Sequence, residues 1–247
     1  PVMVALVAFV AVAATLNDSD PEIPYFAGLV AQRYGDLETA NEYFTSASTA
    51  APHVAAYVLA RAETLVNLDR PVDAMELLQS RLNDFDQNVS MRMLAARISR
   101  ILGLRGPAVA YCREAVRIGD EAPHLVTELG LMLVWAERYG DAVAVLAPVI
   151  EPRADKTKPI DGKDDEPNVA PSPSVVRALA RAYIETGEGQ KAIDVLRRLL
   201  EANPDDTLSW SLCARATSGL LSIVLSAARQ RLQRRRTRAR TISPGVA

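Results

Sequence analysis

The chain has only two histidines, two cysteines, two tryptophans and four phenylalanines in 247 residues. His53 and His124 have no Cys, His or carboxylate at ligand spacing, so no metal site is expected. Cys112 and Cys213 both fall in apolar helical patterns, where a small buried hydrophobe is the natural role and a disulfide is not. The sequence contains no GxxxxGK[ST], no GxGxxG after a strand and no GxSxG, so phosphate loops and nucleophile elbows are missing. Carboxylates are plentiful but scattered over helix exteriors, and no acid–base pair stands out. No catalytic residue, cofactor site or metal site is expected, and the chain reads as a non-enzyme. A formal charge of −2 gives no reason to expect a nucleic acid partner. Glycine is sparse, aromatics are a twentieth of the residues and alanine is abundant, a balance that favours helix over sheet.

What is present is a period. Residues 22–52, EIPYFAGLVAQRYGDLETANEYFTSASTAAP, set out a lattice of small and large side chains. Gly28 recurs as Ala62, Ala96 and Gly130, each 34 residues on. Ala40 recurs as Ala74, Ala108 and Ala142, and the pair returns as Ala180 and Ala192. Two antiparallel helices can approach closely only where side chains are small, and each pair exposes an apolar flank that its neighbour must bury. Phe44, Leu78, Cys112, Leu146 and Leu196 follow the second-helix alanine by one turn and fill the space toward the neighbouring pair. The turns are expected at Gly35-Asp36, Asp69 to Pro71, Gly103 with Gly106-Pro107, Ala136 to Gly140, and Thr186 to Gly189.

This ruler divides the chain. Residues 1–20 are an apolar N-terminal segment, and residues 1–16 carry no charge. They read as a membrane span or signal remnant, or as a packed terminal helix in phase with an earlier repeat through Leu6 and Val10. Residues 21–150 hold four repeats, and 151–173 are a Pro- and charge-rich insertion expected to be a flexible loop. Residues 174–206 form a fifth repeat, and 207–228 a C-terminal capping helix started by Asp206. Residues 229–247 are an arginine-rich tail. From 207 onward there are eight arginines and no acid, so the tail is a separate electrostatic object. It carries no interleaved aromatics, which leaves base stacking unsupported. Disorder or partner docking is the leading reading for it, with anionic lipid second and nucleic acid third.

Over about residues 22–204 the lattice resembles the tetratricopeptide repeat family, whose pattern has small residues at its eighth, twentieth and twenty-seventh positions and a turn glycine. Gly28, Ala40, Ala47 and Gly35 match it first, and Ala180, Ala192 and Gly187 last. Arg61 stands where leucine is usual, Asp69 replaces the turn glycine, and Arg81, Val149 and Leu199 replace the third small residue. The resemblance implies an all-α fold, an α-solenoid of tandem antiparallel helix pairs in a right-handed superhelix. It also implies a concave face lined by first helices, on which family members bind extended peptides or helices.

Carried over position by position, the groove candidates here are Tyr25, Arg33, Asn67, Met93, Arg97, Arg100, Trp135, Arg177 and Arg181. Leu29, Gln32, Leu59, Glu63, His124, Thr127, Leu131 and Glu185 share the same register. Tyr25 and Leu29 replace the Lys and Asn of members that clamp a chaperone's C-terminal carboxylate, so that clamp is not expected. Arginine forks suit acidic partners. The expected function is therefore a protein–protein interaction scaffold or adaptor whose partner offers an acidic and apolar peptide or helix. The runner-up is a membrane-associated assembly or envelope-biogenesis component, acting through its N-terminal tether and basic tail. The sequence assigns neither a compartment nor an oligomeric state.

Overall fold

The computed structural model describes residues 20–150, 172–219 and 221. All regular structure among them is helical. The helices are α1 (Glu22–Arg33), α2 (Leu37–Ala50), α3 (Ala55–Asn67), α4 (Pro71–Arg81), α5 (Val89–Ile101), α6 (Arg105–Ile118), α7 (Pro123–Trp135), α8 (Tyr139–Ile150), α9 (Pro173–Glu185) and α10 (Gly189–Ala202). A further helical run, α11, covers 207–219. They form tandem helix pairs of the α-solenoid class. The chain divides into two compact units, Pro1–Leu125 and Val126–Ala247. The first unit contains α1 to α6, and α7 begins just before the division.

Each first helix ends in one repeated turn. Residues 35, 69, 103 and 137 all adopt positive φ, at 82°, 58°, 73° and 61°, and Gly187 does the same at 83°. The turns share one closing bond, from the third residue after the helix back across the left-handed residue. Asp36 N donates to Ala31 O at 3.0 Å, Arg70 N to Leu65 O at 2.9 Å and Leu104 N to Ser99 O at 2.8 Å. Arg138 N to Leu133 O at 2.9 Å and Glu188 N to Tyr183 O at 2.7 Å complete the set. This is the six-to-one bond that satisfies an orphan carbonyl at a helix C-terminus.

The fourth turn falls within the expected Ala136 to Gly140 and pivots on Glu137, while Gly140 is the second residue of α8. Register decides this, because 137 lies 34 beyond Gly103. Gly106 and Pro107 belong to the first turn of α6, not to the loop before it. Proline fits there because the first N–H groups of a helix have no intrahelical partner.

Helix starts are closed by differing means. Asp36 caps α2 by accepting from Thr39 N at 3.2 Å, and Asn88 caps α5 by accepting from Met91 N at 2.9 Å. Where α4 and α8 have arginine at the capping position, Arg70 pairs with Asp73 at 2.6 Å and Arg138 with Asp141. Asp20 accepts from Glu22 N at 3.0 Å, and α1 starts at Glu22, so Pro24 lies within its first turn.

The core of each pair is built on the small-to-large contact. Ala40, Phe44, Ala62, Ala74, Leu78, Ala96, Ala108 and Cys112 are all fully buried in the first unit. In the second unit the same holds for Ala142, Leu146, Ala180, Ala192 and Leu196. A Cβ placed on Gly28 would stand 2.5 Å from Phe44 Cε1, and one on Gly130 would overlap Leu146. The glycines therefore accompany large partners that cross directly over the first helix.

The apolar segment at 1–19, the insertion at 151–171 and the tail at 222–247 lie outside the described residues.

Two substitutions test these constraints. Gly28→Ala is expected to destabilise the chain by about 1–3 kcal/mol, since the Phe44 ring is already fully buried and must shift. Glu137→Gly is expected to raise stability by about 1 kcal/mol, because a left-handed glutamate is strained and glycine is not. Urea denaturation reads both as a midpoint shift at constant slope.

Candidate functional site

Within the first unit, the first helices α1, α3 and α5 present equivalent positions 34 residues apart. On α3, Leu59, Glu63 and Asn67 follow one another at four-residue spacing; Leu59 is half-buried and the other two are exposed. On α5, Met93 is half-buried, while Arg97 and Arg100 are exposed. Neither arginine side chain forms an ion pair or hydrogen bond among the described residues. Ile101, next to Arg100, is 54% exposed. Ile101 is absent from the sequence-derived candidates, although the register that selects Arg33 and Asn67 selects it as well.

Tyr25 is placed differently from a free groove residue. Its ring lies 4.8 Å from that of Tyr57, 5.9 Å from Phe44 and 5.7 Å from Phe26, measured between centroids. It is half-buried and joins the packing of α1 against α2 and α3. Arg33, at the end of α1, is exposed. Arg61, standing where leucine is usual, is half-buried, and its Nε has no hydrogen-bond partner among the described residues. Burial, and then the charge of Arg70, hold its guanidinium below the ordinary arginine range.

The remaining candidates belong to the second unit. Trp135 is half-buried at the end of α7. Arg177 is engaged internally: its Nη1 donates to Asp206 Oδ2 at 2.8 Å. Asp206 in turn accepts from Ser209 Oγ at 2.7 Å and Ser209 N at 3.2 Å, which starts α11. The Ser209 hydroxyl, the Ser209 amide and Arg177 together hold the Asp206 carboxyl below its usual range, against the opposing effect of burial. Arg181 is exposed and lies 6.0 Å from the Tyr139 ring centroid, at the limit of a cation–π contact. Glu185 pairs with Arg215 of α11. Of the five candidate arginines, Arg33, Arg97 and Arg100 thus belong to the first unit, and Arg177 and Arg181 to the second.

An apolar hollow also lies between α10 and α11, lined by Ile193, Leu200, Trp210 and Cys213 with Arg197 and Thr217. Trp210 Nε1 donates to Pro204 O at 2.8 Å, and burial pushes the Cys213 thiol up. Among the described residues, no group of three or more His, Cys, Asp or Glu could hold a metal ion.

The sequence pattern of the tetratricopeptide repeat family matches residues 31–98 and 165–216. Solved structures agree with it in fold. YrrB, described as a TPR protein with an unusual peptide-binding site, superposes with a TM-score of 0.64 at 15% identity, over 82% of this chain and 96% of its own. A tetratricopeptide repeat protein from Parabacteroides merdae gives 0.65 at 15% identity, over 86% and 77% of the two chains. PilW, a type IV pilus biogenesis factor, gives 0.62 at 16% identity, over 83% and 88%. No curated protein sequence matches the chain. Helix pairs, turns and small-residue contacts keep that family's register, and the chain carries tetratricopeptide repeats over residues 31–98 and 165–216.

The Asp206 site makes a pH prediction. A carboxyl whose folded pKa is depressed adds stability that is present above the ordinary carboxylate value of about 3.9 and lost as pH falls through the folded value. Asp206→Asn is therefore expected to melt lower than the parent at pH 7. The gap should close as pH drops below about 4, where a free carboxyl protonates. Thermal melts followed by circular dichroism across that range provide the check.

Proposed function

We propose that the protein is a non-enzymatic interaction scaffold that binds an acidic and apolar peptide or helix on the first-helix face of α3 and α5. The observation that carries this reading is the pair Arg97 and Arg100, exposed one turn apart and without an ion pair among the described residues. Met93 and Ile101 flank them with apolar surface. A charged fork beside an aliphatic strip suits a segment carrying a carboxylate next to a large apolar side chain. Peptide binding by YrrB, which shares the fold, is in keeping with it. Arg177 contributes less, because Asp206 already occupies it.

An envelope-assembly role is the second reading, and PilW, a type IV pilus biogenesis factor, shares the fold. At 16% identity that likeness concerns fold alone. Among the described residues no helix is long and apolar enough to cross a membrane.

The experiment is capture of a partner on the immobilised full chain, identification by mass spectrometry, and titration of its binding segment. Arg97→Glu with Arg100→Glu should weaken binding at least tenfold, or about 1.4 kcal/mol, with the parent affinity falling as salt rises. Unchanged affinity in the double variant overturns the assignment of this face.

A further inference from the structure

The first helix of the described array carries a stripe that its counterparts bury. Ile23, Phe26 and Val30 lie on one face of α1 at spacing three and four. Phe26 is 57% exposed, and Ile23 and Val30 are half-buried. The equivalent residues of α3 are Tyr57, Ala60 and Thr64, and those of α5 are Met91, Leu94 and Ile98; all six are buried. What buries them is the second helix of the preceding pair. Ala47 and Ala51 pack on Tyr57, and Ala40 and Phe44 on Ala60. Met75, Leu78 and Leu82 of α4 and its C-cap join Met91, Leu94 and Ile98 in one cluster.

We propose that residues 3–16 of this chain occupy that stripe, covering α1 as α2 covers α3. Three observations select this occupant. Moving α2, Leu37–Ala50, back by one period gives residues 3–16, which is the uncharged run. The cover residues have suitable counterparts, with Leu6 for Ala40, Val10 for Phe44 and Ala13 for Ala47. The connection has the right length: four residues, 51–54, join α2 to α3, and five, 17–21, separate residue 16 from α1. The stripe needs an apolar partner of about four turns, and a run of this length and composition is covalently attached at the correct end.

The competing occupants are a lipid bilayer for residues 3–16, and a second copy of the chain for the stripe. Cross-linking in the full chain separates them. In a Cys213→Ser background, Val10→Cys with Phe26→Cys reproduces the packing of Phe44 on Ala60 one period earlier. Mild oxidation should close a disulfide within the monomer in most molecules. The yield should not change when phosphatidylcholine–phosphatidylglycerol vesicles are added. Val10→Cys paired with Arg100→Cys, off the stripe, should stay open. Failure of the first pair to close overturns the proposal, as does co-sedimentation with vesicles that abolishes closure. A disulfide found only between chains also overturns it, assigning the stripe to a second copy. Hydrogen exchange adds a readout free of cysteine. Val10→Asp should speed exchange of α1 amides at least tenfold and leave α5 amides unchanged, whereas unchanged α1 exchange counts against the proposal.

Discussion

The structure depends on the closeness that one small residue on each first helix permits. Gly28 lets the Phe44 ring lie directly against the α1 backbone, and Gly130 does the same for Leu146. From that contact the remaining geometry follows. Helices this close must be joined by a tight reversal, which places a left-handed residue directly after the first helix. The second helix then turns its other side to the next pair, where Phe44 meets Ala60 and Leu78 meets Leu94. Surface ion pairs add little to this. Arg117–Glu114, Lys191–Glu188 and Arg70–Asp73 are exposed and local to their own helix ends, where solvent screens them.

The fold was legible because its determinants are residue types with few alternatives. A small residue every 34 positions and a glycine after the first helix have a single economical explanation in helix pairs. The sequence was least legible where a residue occupies a conformation its chemistry disfavours. Glu137 holds the left-handed turn because its neighbours fix it there, although its residue type does not mark it as the pivot. Gly106 and Pro107 look like a loop and instead begin a helix, since the first turn has no use for the missing N–H.

The binding face was legible in register but not in occupancy. Position along the repeat identifies which residues lie on first helices, and it cannot tell which are already partnered. Arg97 and Arg177 both lie at groove positions of a first helix, without being counterparts in the repeat. Asp206 binds the second of them and begins α11 with its remaining hydrogen bonds, a link 29 residues long that no local pattern announces. Tyr25 likewise spends its ring on Tyr57 and Phe44. Charge and exposure at Arg97, Arg100 and Ile101 arise from what is missing around them, and only the folded arrangement displays that.

The recurring six-to-one turn also bears on how the chain reaches its native state. Its closing bonds join residues five apart, and the Gly28–Phe44 contact spans 16. Little loop entropy must be lost before any helix pair gains its core, so each pair can serve as a starting point and lend its flank to the next. Such a chain assembles by growth from a neighbour rather than by a single long-range closure. The pairs strained at their turns, those closed by Asp69 and Glu137, are the natural places for growth to pause.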